Sequence, residues 1–413
     1  MQTMIHLISL IALTFIGLGD VAAQSALPEH SGGGVPSNPS PPTTNPGPST
    51  QFGDPLPGLT TALRVDFSAG LEEFQSVETV ADGLGPIFNN VSCVACHSSP
   101  APGGASAILE TRFGRLENGI FDPLTAEGGS LLQQFAIDPT AQEVVPADAN
   151  VVVKRITTPL FGAGLIEAIP DGVILFNAIV RKPDGVTGRP SRVVDVATGR
   201  ERIGRFGWKA QQATLLAFAG DAYVNEMGIT NRLFPTENPP NGNEALLAQY
   251  DTVPDPEDQV DPTTGKADID KFADFMRLLA PPPPLPLSQT GKAGSLLFAV
   301  IGCAACHTPA MLTGPNVIPA LDRKLVQLYS DLLLHDMGTL GDGIAQGVAQ
   351  PGEMKTAPLW GLRSRGPFLH DGRAATVEAA ILMHDGEALP ARTRFNALPA
   401  GEQQQVLKFL NSI

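Results

Sequence analysis

Positive charge is scarce in this chain. Its 27 lysines and arginines face 42 aspartates and glutamates over 413 residues, a net charge of −15. That balance excludes a nucleic-acid binder and argues against docking on an anionic membrane. Cysteine is scarcer still, and four in so long a chain exclude a disulfide framework. Histidines number seven, so any imidazole ligand must come from a short set. Beyond the first two dozen residues no apolar run is long enough to span a bilayer. What the chain has in quantity is 43% hydrophobic residues, enough for ordinary cores, with 43 glycines and 38 prolines that imply much irregular structure.

Met1 to Ala23 reads as a secretory signal peptide. Residues Met4 to Leu18 are almost all apolar, and Val21-Ala22-Ala23 supplies small residues for cleavage, although no Lys or Arg precedes the apolar run. The run is shorter than a membrane span, so the expected product is an exported protein and not an integral membrane one. No cysteine stands at the cleavage site to take a lipid.

All four cysteines fall in two pentapeptides, Cys93-Val94-Ala95-Cys96-His97 and Cys303-Ala304-Ala305-Cys306-His307. Cysteines three apart on a helix share a face. Both thiols can then form thioethers to the vinyl groups of one haem, and the next residue brings an imidazole under the iron. Zinc is the competing reading, but structural zinc ligands cluster within a few tens of residues, and these pairs lie in opposite halves of the chain. A thioredoxin-like redox pair needs a βαβ setting, which neither site has. The expected cofactors are two covalently bound haem c groups, and export agrees with this, since such haem is attached outside the inner membrane of bacteria.

The expected fold is mainly α: two cytochrome c-like haem domains with long loops and a small β-hairpin in the first. After residues 1–23, a Pro/Ser/Gly stretch over 24–58 reads as a disordered tether. An N-terminal haem domain follows over 59–280. Within it Ser191 to Val196 and Glu201 to Ile203 form a hairpin about a Thr198-Gly199 turn. Val151-Val152-Val153 reads as a further strand, and Ala210 to Ala222 is apolar at helical spacing. Pro281 to Pro284 opens a stiff linker over 281–290. The C-terminal haem domain, 291–413, begins with a helix over Leu296–Ile301 and ends with one over Val406–Leu410. Between them Thr376 caps a helix with Glu378 in its first turn and Gly386 past its end.

A second strong ligand closes a haem for electron transfer, whereas an open position permits peroxide or oxygen chemistry. His97 and His307 are the proximal ligands; His6 lies in the signal and His30 in the tether. His335, His370 and His384 remain, all in the second domain. His384 shares a helical face with Val377 and Ile381 and is the candidate iron ligand, with its neighbour Met383 as the second choice. No histidine besides His97 is left for the first haem, whose sixth position is expected to be open or weakly held.

Lys355-Thr356-Ala357-Pro358-Leu359-Trp360 and Gly366-Pro367-Phe368-Leu369-His370-Asp371-Gly372 resemble the signature of bacterial di-haem cytochrome c peroxidases. The order of elements from Leu59 to Ile413 resembles one branch more closely, the di-haem oxidoreductases often labelled thiol oxidoreductases. Its marks are Ser92 to His97, Phe161 to Asp171, Asn225 to Asn231 and Tyr329 to Gly338. Where those peroxidases place the methionine that closes the second haem, this chain has His384. The resemblance thus implies His307 and His384 as an axial pair, at a lower potential than a methionine would give. It implies that His370 lies near the haem interface and not on iron, and that backbone around Arg365 and Pro367 helps hold a calcium ion. It also makes Glu226 the acid-base that moves a proton between peroxide oxygens, with Gln212 or Gln211 as the upstream glutamine and Trp208 as the ring between the haems. Solvation accounts equally well for Glu226, and core packing for Trp208. His335 is expected to contact a propionate or to make a structural hydrogen bond, and Trp360 to pack.

The function implied is a periplasmic di-haem oxidoreductase of peroxidase type. It would accept electrons at the C-terminal haem from a small cytochrome or cupredoxin, for which an acidic surface suits a basic partner. Hydrogen peroxide would be reduced at the N-terminal haem, or another substrate oxidised there. The alternative is a non-catalytic electron-transfer cytochrome in which Met227 closes the His97 haem. Thiol oxidation by the cysteines themselves is disfavoured, since haem attachment consumes them.

Overall fold

Helix Thr61–Gln75 begins at Thr60, whose hydroxyl accepts from the Leu63 amide at 3.3 Å. It lays Phe67, Gly70 and Phe74 against helix Asp268–Leu278, which answers with Ile269, Phe272, Ala273, Phe275 and Met276. At Gly70 the two backbones come so close that a Cβ would stand 2.3 Å from the Lys271 carbonyl oxygen. Glycine is therefore a packing requirement there. The pair anchors the largest apolar core, which also takes in Leu160, Ile169, Leu215, Tyr223, Met227 and Leu328.

The same construction recurs in the second half. Ser288 caps helix Gln289–Val300, and Gly294 lets it close on helix Ala400–Leu410, where a Cβ would meet the Gln405 carbonyl at 1.9 Å. Phe298, Ile301, Phe395, Val406, Phe409 and Leu410 fill a second core. Gly302, at φ 98°, then ends the helix and turns the chain into the 3₁₀ turn Cys303–Ala305.

These observations come from a computed structural model that describes residues 50–254 and 257–413. The signal peptide, His6, His30 and the tether up to residue 49 lie outside the described residues. Residues 48–413 form one compact unit that holds both cysteine motifs. The last residues of the expected tether are packed against the fold. The Leu56 amide donates to the Leu278 carbonyl at 2.7 Å, Pro55 bridges Leu279, and the Leu56 side chain is 3% exposed.

Among the described residues helix exceeds strand, 36% to 15%, and the sheets are small. The expected hairpin is present as Arg192–Asp195 paired with Arg200–Ile203, and Val151–Ile156 is a strand. Two expectations need correction. Strand Leu109–Glu117 is the centre of a four-stranded sheet with Ile120–Asp122, Leu131–Leu132 and Val151–Ile156, well beyond a single hairpin. The apolar run from Ala210 becomes helix only at Leu215–Ala222, because Ala210 sits at φ 52° and the Phe206 and Gln212 backbones bridge each other. Thr214 then caps the helix. In the second half Thr376 caps Val377–Met383 as read from the sequence, with His384 ending the helix. No helix among the described residues is long and apolar enough to cross a membrane.

Candidate functional site: two clefts with a shared wall

Each cysteine motif opens on its own cleft, of about 180 Å³ at Cys93, Cys96 and His97 and about 220 Å³ at Cys303, Cys306 and His307. The four cysteines are free of disulfides. Burial pushes Cys93 far above the ordinary thiol value, Cys96 up to about 11 and Cys303 up to about 12. They are poorly suited to thiolate chemistry at neutral pH. The two pairs do not converge, and among the described residues no three His, Cys, Asp or Glu side chains gather into a metal site.

In the N-terminal cleft Ser92 caps the turn Cys93–Cys96, which sets both sulfurs on one side. His97 follows, its Nδ1 held by the Gly104 carbonyl at 3.1 Å and its ring 6.1 Å from that of Phe74. That bond fixes the tautomer and leaves Nε2 as the ligating atom. Burial lowers its pKa to about 4, so the ring is neutral, as ligation requires.

Glu226 projects into this cleft from a π-helical turn, Tyr223–Met227, a form of helix found mostly at functional sites. Gly228 at φ 64° ends the turn, and Asn89 donates from Nδ2 to Glu226 Oε2 at 2.8 Å. Burial and the negative charge of Glu110 raise the Glu226 pKa to about 7, against the pull of Arg112 and Asn89. The Glu110 carboxyl lines the same cleft, near enough for its charge to act on Glu226. It accepts from Arg112 Nε at 3.0 Å and from the terminal nitrogen at 3.4 Å. Burial opposes its charge, but Arg112 wins and holds its pKa low. A carboxyl pair driven apart in this way carries one proton between them.

Of the two candidate glutamines, Gln211 lines the cleft, with its Oε1 buried and without a hydrogen bond, whereas Gln212 is not in the wall. Met227 also borders the cleft, 3% exposed within the main core.

The C-terminal cleft is lined by Phe298, Leu359, Leu362, Phe368, Ile381 and Leu410, with His307 and His384 facing across it. His307 Nδ1 is bonded to the Tyr329 carbonyl at 2.9 Å and His384 Nδ1 to the Ala380 carbonyl at 2.7 Å. Both Nε2 atoms are thereby left for a ligand. The ring centroids are 6.4 Å apart. Two metal–imidazole bonds of about 2 Å each, plus a ring radius of roughly 1.1 Å at either end, require about 6.2 Å. The pair therefore fits an iron held from both sides. Met383 is 39% exposed and does not line the cleft. Burial and the proximity of His384 lower His307 to about 4.

His335 lies in the same wall, bonded through Nδ1 to Glu387 at 2.7 Å and through Nε2 to Asp331 at 3.0 Å. Burial works against its charge, yet the bonds to Asp331, Cys306 and Glu387 prevail and raise it to about 11. Both of its ring nitrogens are thus engaged by carboxylates of the protein. His370 borders the cleft with its Nε2 unpartnered and its ring edge-on to Trp208, 6.3 Å away. Trp208, pinned by an Nε1 bond to the Ile156 carbonyl at 3.0 Å, lines both clefts together with Ile156, Thr157 and Thr158. Trp360 packs in the main core.

Sequence reading missed Glu110, Arg112 and Arg155 of the N-terminal cleft, and gave Lys355 and the Arg365 side chain no role in the other. Glu110 and Arg112 are two apart on a strand and so share a face. That signal is readable once Leu109–Glu117 is known to be a strand.

Residues 141–413, more than half of the chain, match the family model described as "Di-haem oxidoreductase, putative peroxidase". The match takes in the second cysteine motif, Trp208, Glu226 and His384, and begins beyond the first motif. No curated protein is detectably similar. Among solved structures, hydrazine synthase of Kuenenia stuttgartiensis is 16% identical over 92% of this chain and 100% of that one, with a TM-score of 0.37. A MauG-like protein associated with microbial copper homeostasis is 15% identical over 61% and 88%, at 0.31. A variant of the di-haem peroxidase BthA from Burkholderia thailandensis is 12% identical over 84% and 85%, at 0.37.

Proposed function

This chain belongs to the di-haem oxidoreductase family, and from that premise we propose that it is a peroxidase-like enzyme of the periplasm with one reactive and one closed haem. The observation that carries the reading is the asymmetry of the clefts. One holds two neutral histidines 6.4 Å apart; the other has a single histidine opposite a carboxyl pair. Haem attached through Cys93 and Cys96, and through Cys303 and Cys306, would supply one-electron iron chemistry in each.

The surrounding residues do the rest. Asn89 orients Glu226, and a carboxyl near pH 7 both takes a proton from one peroxide oxygen and returns it to the other. Glu110, kept charged by Arg112, holds that proton within the pair between turnovers. Gln211 Oε1 offers an acceptor for a substrate hydroxyl. Trp208, common to both walls, is the contact for electrons moving from the C-terminal cleft to the N-terminal one. The donor is a small basic cytochrome or cupredoxin, in line with the chain's charge of −15.

A second reading, a di-haem electron carrier, is favoured by Met227 in the N-terminal wall. Peroxide turnover of the exported holoprotein separates the two. Under the enzyme reading Glu226→Gln loses roughly 10²- to 10⁴-fold and Met227→Leu retains activity. Under the carrier reading the wild type has no turnover, and Met227→Leu creates a peroxide-reactive haem.

A further inference from the structure

Among the described residues most buried or half-buried cations have a carboxylate. Arg155 and Lys209 meet Asp342 at 2.7 and 2.9 Å, Arg277 meets Glu167 at 2.8 Å, and Arg205 is paired with Asp171. Two cations of the C-terminal cleft break the pattern. Lys355 stands at the end of strand Glu353–Lys355, its backbone fixed by pairing with Leu334 and by an amide bond to the Trp208 carbonyl at 2.9 Å. Its ammonium has no acceptor among the described residues. The nearest influential carboxylate, Asp331, is already bonded to Lys182 and His335. Arg365 donates once, to the Pro358 carbonyl at 2.9 Å, and its Nε is buried with no partner. Burial lowers Lys355 to about 8, with the Arg365 charge adding to the effect, and burial lowers Arg365 to about 10. Two neighbouring cations half-buried in the wall of a cleft without counter-charge are unfavourable unless a ligand supplies anions.

We propose that Lys355 and Arg365 are the seat of the two propionate carboxylates of the C-terminal haem. The other charged groups of the wall are paired, Asp184 with Arg394, Glu387 with His335 and Arg392 with Asp385, and most of what remains is apolar around the facing pair His307 and His384. The occupant that satisfies all of it is a flat apolar body, ligated on both faces, with two carboxylates at one edge. The inference rests on the di-haem reading above and adds a consequence to it. Positive charge beside a haem favours the reduced iron, so the two cations offset the low potential that a second histidine would otherwise impose.

The test uses the exported full-length holoprotein and the variants Lys355→Gln, Arg365→Gln, Lys355→Arg and Arg365→Lys. Spectroelectrochemical titration resolves the two midpoint potentials, and resonance Raman reads the propionate bending bands. One unit charge removed about 10 Å from the iron changes the reduced-to-oxidised ratio on the order of tenfold at an effective dielectric near 20. For one electron that is about 59 mV. The expected result is a fall of this size in one midpoint only, and a shifted propionate band, in each glutamine variant; the charge-keeping variants stay near wild type. Loss of haem from the glutamine variants alone also supports the seat. Unmoved midpoints and bands would overturn it, as would equal losses in all four variants. A wild type without haem would overturn the functional reading with it, whereas two haems and unmoved potentials sink this inference alone.

Discussion

Glu226 and Glu110 sit in one buried cluster with Arg112, and their pKa values are driven apart by it. Glu110→Gln removes the like charge that raises Glu226 and frees Arg112 to favour its ionised form, so the Glu226 pKa falls from about 7 toward the ordinary carboxylate range. A base that must be deprotonated then works at lower pH. The acid limb of peroxide kcat/KM is expected to move down by a unit or more, roughly; a limb that stays in place would show that Glu226 titrates independently of Glu110. At this scale the sequence was legible where chemistry dictates spacing, as in the two CxxCH motifs and in His384 aligned with Val377 and Ile381. It was silent on Glu110 and Arg112. They alternate with Leu109, Thr111 and Phe113, but the polar Thr111 interrupts the apolar face and weakens the strand pattern. Gln211 and Gln212 were indistinguishable for a related reason: the chain is not yet helical there, and only the turn at Ala210 decides which one faces inward.

Elements hold these side chains through a few joints. His335 ties strand Leu334–Asp336 to Asp331 on one side and to Glu387, in the turn Gly386–Ala388, on the other. Its folded pKa is raised to about 11 from an unfolded value of 6.5. The stability it contributes is complete below pH 6.5 and is lost as pH rises through 11. His335→Gln should therefore cost roughly 3–5 kcal/mol, with a deficit in chemical denaturation that persists at pH 8, where an ordinary histidine's contribution has gone. A second joint is Gly228, which ends the Glu226 turn at φ 64° and would place a Cβ 2.7 Å from the Ile87 carbonyl. Gly228→Ala costs about 1–2 kcal/mol in backbone conformation alone. It should lower peroxide turnover more than it lowers the midpoint of unfolding, because the strain falls on the residue after Met227. Caps such as Thr376 were readable because a hydroxyl before an apolar helix has one obvious use. The sheet around Leu109–Glu117 was not, since its pairing with Val151–Ile156 is set by distant contacts.

The molecule as a whole sets two unlike clefts against one wall in a single compact unit, with Trp208 and Ile156 common to both. That arrangement makes division of labour the central claim: His307 and His384 close one haem, while the haem on His97 keeps a position for substrate. The electron-spin and visible spectra of the exported holoprotein, taken before and after peroxide, test it most directly. The account predicts one low-spin haem that His384→Ala converts, beside a high-spin haem that peroxide consumes in wild type but not in Glu226→Gln. Two low-spin haems indifferent to peroxide in every redox state would contradict it.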